Sequence, residues 1–152
     1  EGLSFESEIE SDCAPLVDPV LGLLEAGVEV HCLRDLTRGG LGGALIEIAE
    51  TRQVQIDIEE DMIPVPSPVR GACEILGIDP FFVACEGRLV AFVPAADADR
   101  ALAVLHAHGP GLHPAKIGVV SGDGEGLVRL QSQIGTQRIA VLPSGEQLPR
   151  IC

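Results

Sequence analysis

The amino-acid sequence predicts an α+β fold of layered type, a mixed β-sheet flanked by helices and followed by a flexible C-terminal tail. Three observations carry this expectation. Helical and alternating apolar periods succeed one another along the first two thirds of the chain. The last third holds only short apolar runs with no helical period between them. The core material is Ala, Val, Leu and Ile, with no Trp or Tyr and four Phe. Alternating helices and strands that give way to an all-β end imply a mixed sheet and not a purely parallel one. With 152 residues, 46% of them hydrophobic, and a mean hydropathy of +0.31, the chain has the size and apolar content of one domain.

The elements follow in order. Leu16, Val17, Val20, Leu21 and Leu24 have helical spacing, with Asp12 and Pro15 as start signals and Gly27 as a stop. Val28 to Leu33 is short, apolar and β-branched and reads as a strand. Arg34 to Gly40 then reads as a polar, Gly-rich loop, after which Leu41, Ala44, Leu45, Ile48 and Ala49 resume the helical period. Val54, Ile56 and Ile58 alternate as a strand with one polar face. Pro64, Pro66 and Pro68 break the chain before a helix from Val69 to Leu76, with Ser67 as N-cap and Gly77 as terminator. Phe81 to Cys85 and Arg88 to Val93 read as two strands of a hairpin turned at Glu86-Gly87. Ala98, Ala101, Leu102 and Leu105 mark a helix ending near Gly109. Lys116 to Val120, Leu127 to Ser132 and Gln137 to Leu142 are short strands that read as a meander or a sheet edge. After Pro143 the pattern stops, and Ser144-Gly145-Glu146-Gln147 reads as a flexible leader. The organisation expected is a domain over 1–142 and a tail over 143–152.

A formal charge of −13 argues against nucleic acid and anionic membranes as partners, since both require a basic footprint. No apolar run approaches the roughly 20 residues of a membrane span, and the acidic start Glu1-Gly2-Leu3-Ser4-Phe5-Glu6 lacks the features of a secretory signal. A cytoplasmic location is expected. The chain also starts without Met, which suggests part of a longer protein. The five cysteines at 13, 32, 73, 85 and 152 show neither a C-x-x-C pair nor a zinc-finger spacing, and their odd number does not suggest a disulfide framework. Cys32, Cys73 and Cys85 sit among apolar residues as small buried hydrophobes. Cys152 is the exception: a terminal thiol beside a free carboxylate, in a polar stretch, has the exposure a reactive cysteine needs.

Two further constellations have chemical potential. Arg34-Asp35-Leu36-Thr37-Arg38-Gly39-Gly40-Leu41 places two of ten basic residues between a strand and a helix. There Thr37 can cap the helix, and N–H groups near Gly39 and Gly40 can receive a phosphate at the helix N-terminus. The alternative is an ordinary turn in which Arg34 and Asp35 pair with each other; the sequence is not a Walker loop. Glu86, between apolar strands, suits proton transfer if its surroundings favour the neutral acid; otherwise it is a solvated turn carboxylate. His106 and His108, two apart on a helix, do not share a face, and no metal site is expected from them.

Asp12-Cys13-Ala14-Pro15-Leu16, the Arg34–Leu41 loop, Gly77-Ile78-Asp79-Pro80, Glu86-Gly87 and the Pro149-Arg150-Ile151-Cys152 terminus together resemble the C-terminal portion of the HypE family of hydrogenase maturation factors. The Asp-x-Thr-x-Gly-Gly loop is shared with aminoimidazole ribonucleotide synthetase and selenophosphate synthetase, while the Pro-Arg-Ile-Cys end is particular to HypE. The resemblance implies a fold like the C-terminal domain of aminoimidazole ribonucleotide synthetase. It also implies an N-terminal ATP-binding domain that this chain lacks and that would supply most of the ATP and Mg2+ sites and a homodimer interface. It further implies that the carbamoyltransferase HypF loads a carbamoyl group on the terminal thiol, that ATP drives its dehydration to a thiocyanate, and that the cyano group passes to iron on a HypC–HypD complex for [NiFe] hydrogenase. By position, Cys152 is the modified residue and Glu86 the proton acceptor. Asp35, Thr37, Arg38, Gly39 and Gly40 form the phosphate-facing loop. Cys85 stands where the family would have Asn. Two other readings remain open: a non-enzymatic carrier that only presents Cys152, and a related phosphate-activating synthetase domain, which would leave the terminal Cys without a role.

Overall fold

The computed structural model describes residues 9–108, 113–122, 124–132 and 134–143. Four helices, α1 (Val17–Glu25), α2 (Gly40–Arg52), α3 (Ser67–Leu76) and α4 (Ala98–Ala107), accompany six strands. These are β1 (Cys32–Leu36), β2 (Gln55–Glu59), β3 (Cys85–Phe92), β4 (Gly118–Ser121), β5 (Val128–Gln131) and β6 (Gln137–Ile139). The α+β class expected from the sequence is the one observed, but the strands form two sheets. β1 and β3 make an antiparallel pair, and the other four are ordered β4-β2-β5-β6.

The larger sheet is mixed: β2 runs antiparallel to β4 and parallel to β5, and β5 is antiparallel to β6. This corrects the expected meander. β2 is inserted between β4 and β5, so of the three C-terminal strands only β5 and β6 are neighbours. Its alternation explains the placement. Ile56 and Ile58 are buried and meet Val128 and Leu130, also buried, across the parallel pair, while Gln55 and Asp57 face the other way. On that polar face Arg129 donates to Asp57 at 2.6 Å, and Gln55 and Ser121 add hydrogen bonds to the same carboxylate.

α2 is the central element. Leu41, Ala44, Leu45, Ile46 and Ala49 are all buried, so the helix is enclosed on several sides and joins Leu36 and Val90 of the two-stranded sheet to Ile56, Val128 and Leu130 of the larger one. A second, smaller core forms from Leu23 of α1, Val28 and Ala101 of α4. The helix expected from the spacing of Leu16 to Leu24 is α1. The face of α1 turned inward carries Pro19 and Leu23, leaving Val17, Leu21 and Leu24 exposed. Contact with α4 decides this: a side chain at Gly22 would collide with the ring of His108. Of the strand expected over Val28 to Leu33, only Cys32 and Leu33 are in one. Val28 N–H returns to the Leu23 carbonyl at 3.1 Å, closing the end of α1, and β1 begins four residues later.

The third helix ends as expected at Gly77, which is left-handed at φ +67° and gives its N–H to the last turn. Its start differs: Pro66 occupies the N-cap position and Ser67 makes no capping bond. The expected hairpin at Glu86-Gly87 is absent. Pro80–Phe82 form a 3-10 turn capped by the Asp79 carboxylate, which accepts from Phe81 N–H at 2.9 Å, and Cys85–Phe92 form one uninterrupted strand. Among the described residues no helix is long and apolar enough to cross a membrane.

Candidate active site

Strand β1 and the start of α2 frame the site. Arg34, Asp35 and Leu36, expected in a loop, belong to β1 because they pair with Val90, Leu89 and Cys85 of β3, and Leu36 buries itself in the main core. Asp35 points the opposite way and is exposed. Its carboxylate accepts from Arg34 at 2.8 Å, and Arg34 also reaches Glu47 of α2 at 3.2 Å. The Arg34–Asp35 pairing of the simpler reading is therefore present.

The turn itself is only Thr37 to Gly39. Gly40 N–H closes it onto the Thr37 carbonyl at 3.1 Å, and Gly43 N–H opens the helix onto the Gly39 carbonyl at 2.9 Å. The N-cap is Gly39, left-handed at φ +81°, and no side chain caps the helix, so Thr37 does not have the expected capping role. Gly40 is also left-handed, at φ +61°. A Cβ there would stand 2.8 Å from the Phe82 carbonyl carbon and 2.9 Å from that of Val83. Glycine thus serves two ends at once, the turn and the backbone packing that presses α2 onto the segment leading into β3. Arg38 projects from this turn, exposed and with no ion-pair partner among the described residues.

Glu86 is brought to the same place by a bulge. Along the ladder Asp35 pairs with Leu89, but the next residue, Leu36, pairs with Cys85. Glu86, Gly87 and Arg88 therefore have no counterpart in β1 and are looped out where β1 runs into the Thr37–Gly39 turn. The Glu86 side chain is exposed, and Gly87 is buried. What buries Gly87 is the segment Asp12-Cys13-Ala14. A Cβ on Gly87 would run into the Asp12 carbonyl oxygen and stand 2.8 Å from the Ala14 nitrogen. The strap is held in turn by the Ser11 hydroxyl, which accepts from Cys13 N–H at 3.3 Å.

Cys85 is half-buried, and its thiol donates to the Val83 carbonyl at 3.4 Å. Burial, and then the negative field of Asp12, push its pKa up and keep it protonated. Cys73 is buried with its thiol pKa raised for the same first reason, and Cys32 is half-buried. Cys13 corrects the expectation that Cys152 is the one exposed cysteine: it is itself exposed. Cys152 and the tail from 144 onward lie outside the described residues.

Three segments singled out in the sequence, the Asp12 strap, the Thr37–Gly40 turn and Glu86-Gly87, thus converge at one end of the two-stranded sheet. The strap was legible only as a motif, although a glycine inside an apolar strand is a signal of close backbone approach. The arrangement offers an exposed carboxylate, a guanidinium with no ion-pair partner among the described residues, and the N-terminus of a 13-residue helix. Among the described residues no group of three or more His, Cys, Asp or Glu side chains could hold a metal ion.

Comparison with known proteins agrees with this reading of the fold. The family model described as "AIR synthase related protein, C-terminal domain" matches residues 2–131. The carbamoyl dehydratase HypE of Azotobacter vinelandii is 47% identical over 152 residues, all of this chain and 45% of the relative. A crystal structure of the hydrogenase maturation protein HypE in complex with ATP superposes with a TM-score of 0.88 at 41% identity, over 99% of this chain and 46% of that one. A HypE–HypF complex does so with a TM-score of 0.85 at 38% identity, over 93% of this chain and 46% of that one. The chain spans a little under half the length of the relatives it matches. By its match to the family model over most of its length, the chain belongs to the family of AIR synthase related proteins, C-terminal domain.

Proposed function

We propose that this chain is the C-terminal part, residues 1–142 with a carrier tail over 143–152, of a cytoplasmic carbamoyl dehydratase that makes the cyanide ligand of [NiFe] hydrogenase. The observation that carries the reading is that similarity to carbamoyl dehydratase HypE covers 100% of the chain and thus includes the Pro-Arg-Ile-Cys end. HypF is the partner that loads the thiol, as a HypE–HypF complex among the structural neighbours suggests. HypC–HypD is the acceptor, and the longer protein is a homodimer.

The chemistry starts from the thiocarbamate R–S–C(=O)–NH2 on Cys152. Its oxygen is a poor leaving group until it attacks the γ-phosphorus of ATP and displaces ADP. The C–O bond of the resulting phosphate ester then breaks and releases inorganic phosphate. Loss of two nitrogen protons leaves R–S–C≡N. Glu86, an exposed carboxylate on the bulge, is the base. Arg38 and the N-terminus of α2 face the transferred phosphoryl group, with Asp35, Thr37, Gly39 and Gly40 shaping the turn that presents them. The ligands of the Mg2+ that accompanies ATP, and the adenine pocket, belong to the N-terminal domain of the longer protein.

The test is intact-mass analysis of the protein after incubation with HypF, carbamoyl phosphate and ATP. A carbamoyl adduct confined to Cys152 is expected, followed in the longer protein by a thiocyanate. A chain that takes no carbamoyl group would favour a related phosphate-activating synthetase.

A further inference from the structure

Three cations without an ion-pair partner among the described residues, Arg52, Arg70 and Lys116, have no part in the site just described. Four basic residues, Arg38, Arg52, Arg70 and Lys116, have no ion-pair partner among the described residues, in a chain whose net charge is −13. Arg52, the last residue of α2, and Lys116, just before β4, line one cavity of about 660 Å³. The C-terminal dipole of α2 accounts for a cation at position 52, but not for Lys116 beside the same cavity.

The remaining lining is mainly apolar, with Ile48, Val54, Phe92, Pro94, Val119 and Val120 as its walls. Of the other lining residues with a formal charge, Arg34 is bound to Glu47, and it also holds Asp35, which lies outside the lining. Counted over the lining alone, an apolar floor is left with two surplus positive charges, Arg52 and Lys116, beside it. Arg52 lies at the far end of α2 from the Thr37–Gly40 turn, roughly 18 Å from Gly40 at 1.5 Å per helical residue, and the cavity extends from there back along the helix to Glu47 and Arg34. Its volume falls within the range of small-molecule sites, about 300–1,000 Å³, whereas a protein partner would need a face of about 800 Å².

We propose that this cavity binds a small organic anion, a ring-sized apolar body carrying a phosphate or carboxylate group. The body rests on Phe92, Ile48 and Val120 and the charged group lies between Arg52 and Lys116. Neither cation can supply binding energy alone to an uncharged ligand, and inorganic phosphate leaves the apolar floor unused, so both halves of the ligand are required.

The experiment titrates 1-naphthyl phosphate into the 15N-labelled 152-residue chain and follows amide shifts. Saturable one-to-one binding is expected, with shifts centred on residues 48–54, 92–95 and 116–120. Arg52→Glu and Lys116→Glu, both at exposed positions, should each weaken binding about tenfold or more, while Arg52→Lys and Lys116→Arg retain it. 1-Naphthalenemethanol and inorganic phosphate should each bind at least about tenfold more weakly than the combined probe. Shifts centred on residues 37–40, equal affinity in the charge-reversed variants, or no saturable binding would overturn the proposal.

Discussion

Replacing Gly87 by Ala adds one methyl group where the bulge of β3 meets the Asp12–Ala14 strap. The ideal Cβ would lie 2.8 Å from the Ala14 nitrogen and 2.9 Å from the Asp12 carbonyl carbon, and closer still to the Asp12 oxygen. All three neighbours are backbone atoms, so no rotamer change relieves the clash, and the strap must retreat by well over an ångström to reach ordinary contact. Overpacking of this kind costs about 1–3 kcal/mol. Gly87 is not in the left-handed region, so the usual gain from replacing a strand glycine, about 0.5–1 kcal/mol, offsets part of that cost. A net loss of about 1–2 kcal/mol, or some 2–8 °C in Tm for a domain of this size, is expected. Gly71→Ala is the matched control. It lies within α3 with open space around it, and there the same change should stabilise by up to about 1 kcal/mol. Urea denaturation followed by circular dichroism gives both values, and hydrogen exchange at Cys13 N–H reports the strap directly. A Gly87→Ala protein as stable as its parent, with the Cys13 amide equally protected, would refute the close packing of the strap on β3.

Four more outcomes follow from the site and its surroundings. Glu86→Gln in the longer protein should leave carbamoylation of Cys152 intact but slow dehydration about 10²- to 10⁴-fold, the usual effect of losing a general base; mass spectrometry separates the two steps, and normal thiocyanate formation would leave Glu86 without the role. Cys152→Ala should abolish carbamoyl acceptance with a stability change within about 0.5 kcal/mol. Because Cys13 is exposed, a maleimide should still label the variant, and full carbamoylation of it would move the acceptor to Cys13. The 152-residue chain alone should neither bind ATP tightly nor hydrolyse it, which calorimetry and phosphate release test; micromolar binding with turnover would place the nucleotide site within this chain. The last concerns Asp57, whose pKa is held below 3.8 chiefly by the hydrogen bond from Arg129. A depressed folded-state pKa contributes stability above the unfolded value, lost as pH falls through the folded one. The pair is partly exposed, so the stability gap between the parent and Asp57→Asn should be about 1 kcal/mol or less near neutral pH, closing below pH 3.8; a gap that persists unchanged in acid would show that the ion pair is not its source.

The helices were legible because their signals are local. The period of Leu41, Ala44, Leu45 and Ala49 and the left-handed stop at Gly77 depend on neighbours within a few residues, and α2 and α3 lie close to their expected positions. Strand order was not legible, because it is decided by residues far apart. The insertion of β2 between β4 and β5 pairs Asp57 with Val119 and Arg129, more than sixty residues away on each side of the ladder. A sequence read in order favours neighbouring strands instead. The same distinction explains Arg34 and Asp35. Their polarity suggested a loop, yet they lie on β1, where pairing with β3 supplies the backbone partners and the side chains satisfy each other at the surface.

Glu86-Gly87 shows why a candidate site can be read from residue type but not its shape. An acidic residue and a glycine between two apolar runs have the composition of a hairpin turn. The glycine is required for a different reason, the passage of Asp12–Ala14 across β3, and that crossing involves residues some seventy positions apart. Once the strap is in place the chain cannot turn at Gly87 and continues as one strand. The ladder absorbs the extra residues as a bulge, and the bulge holds Glu86 out at the end of β1, beside the turn that leads into α2. The position of the candidate base is therefore a consequence of backbone packing around a single missing side chain.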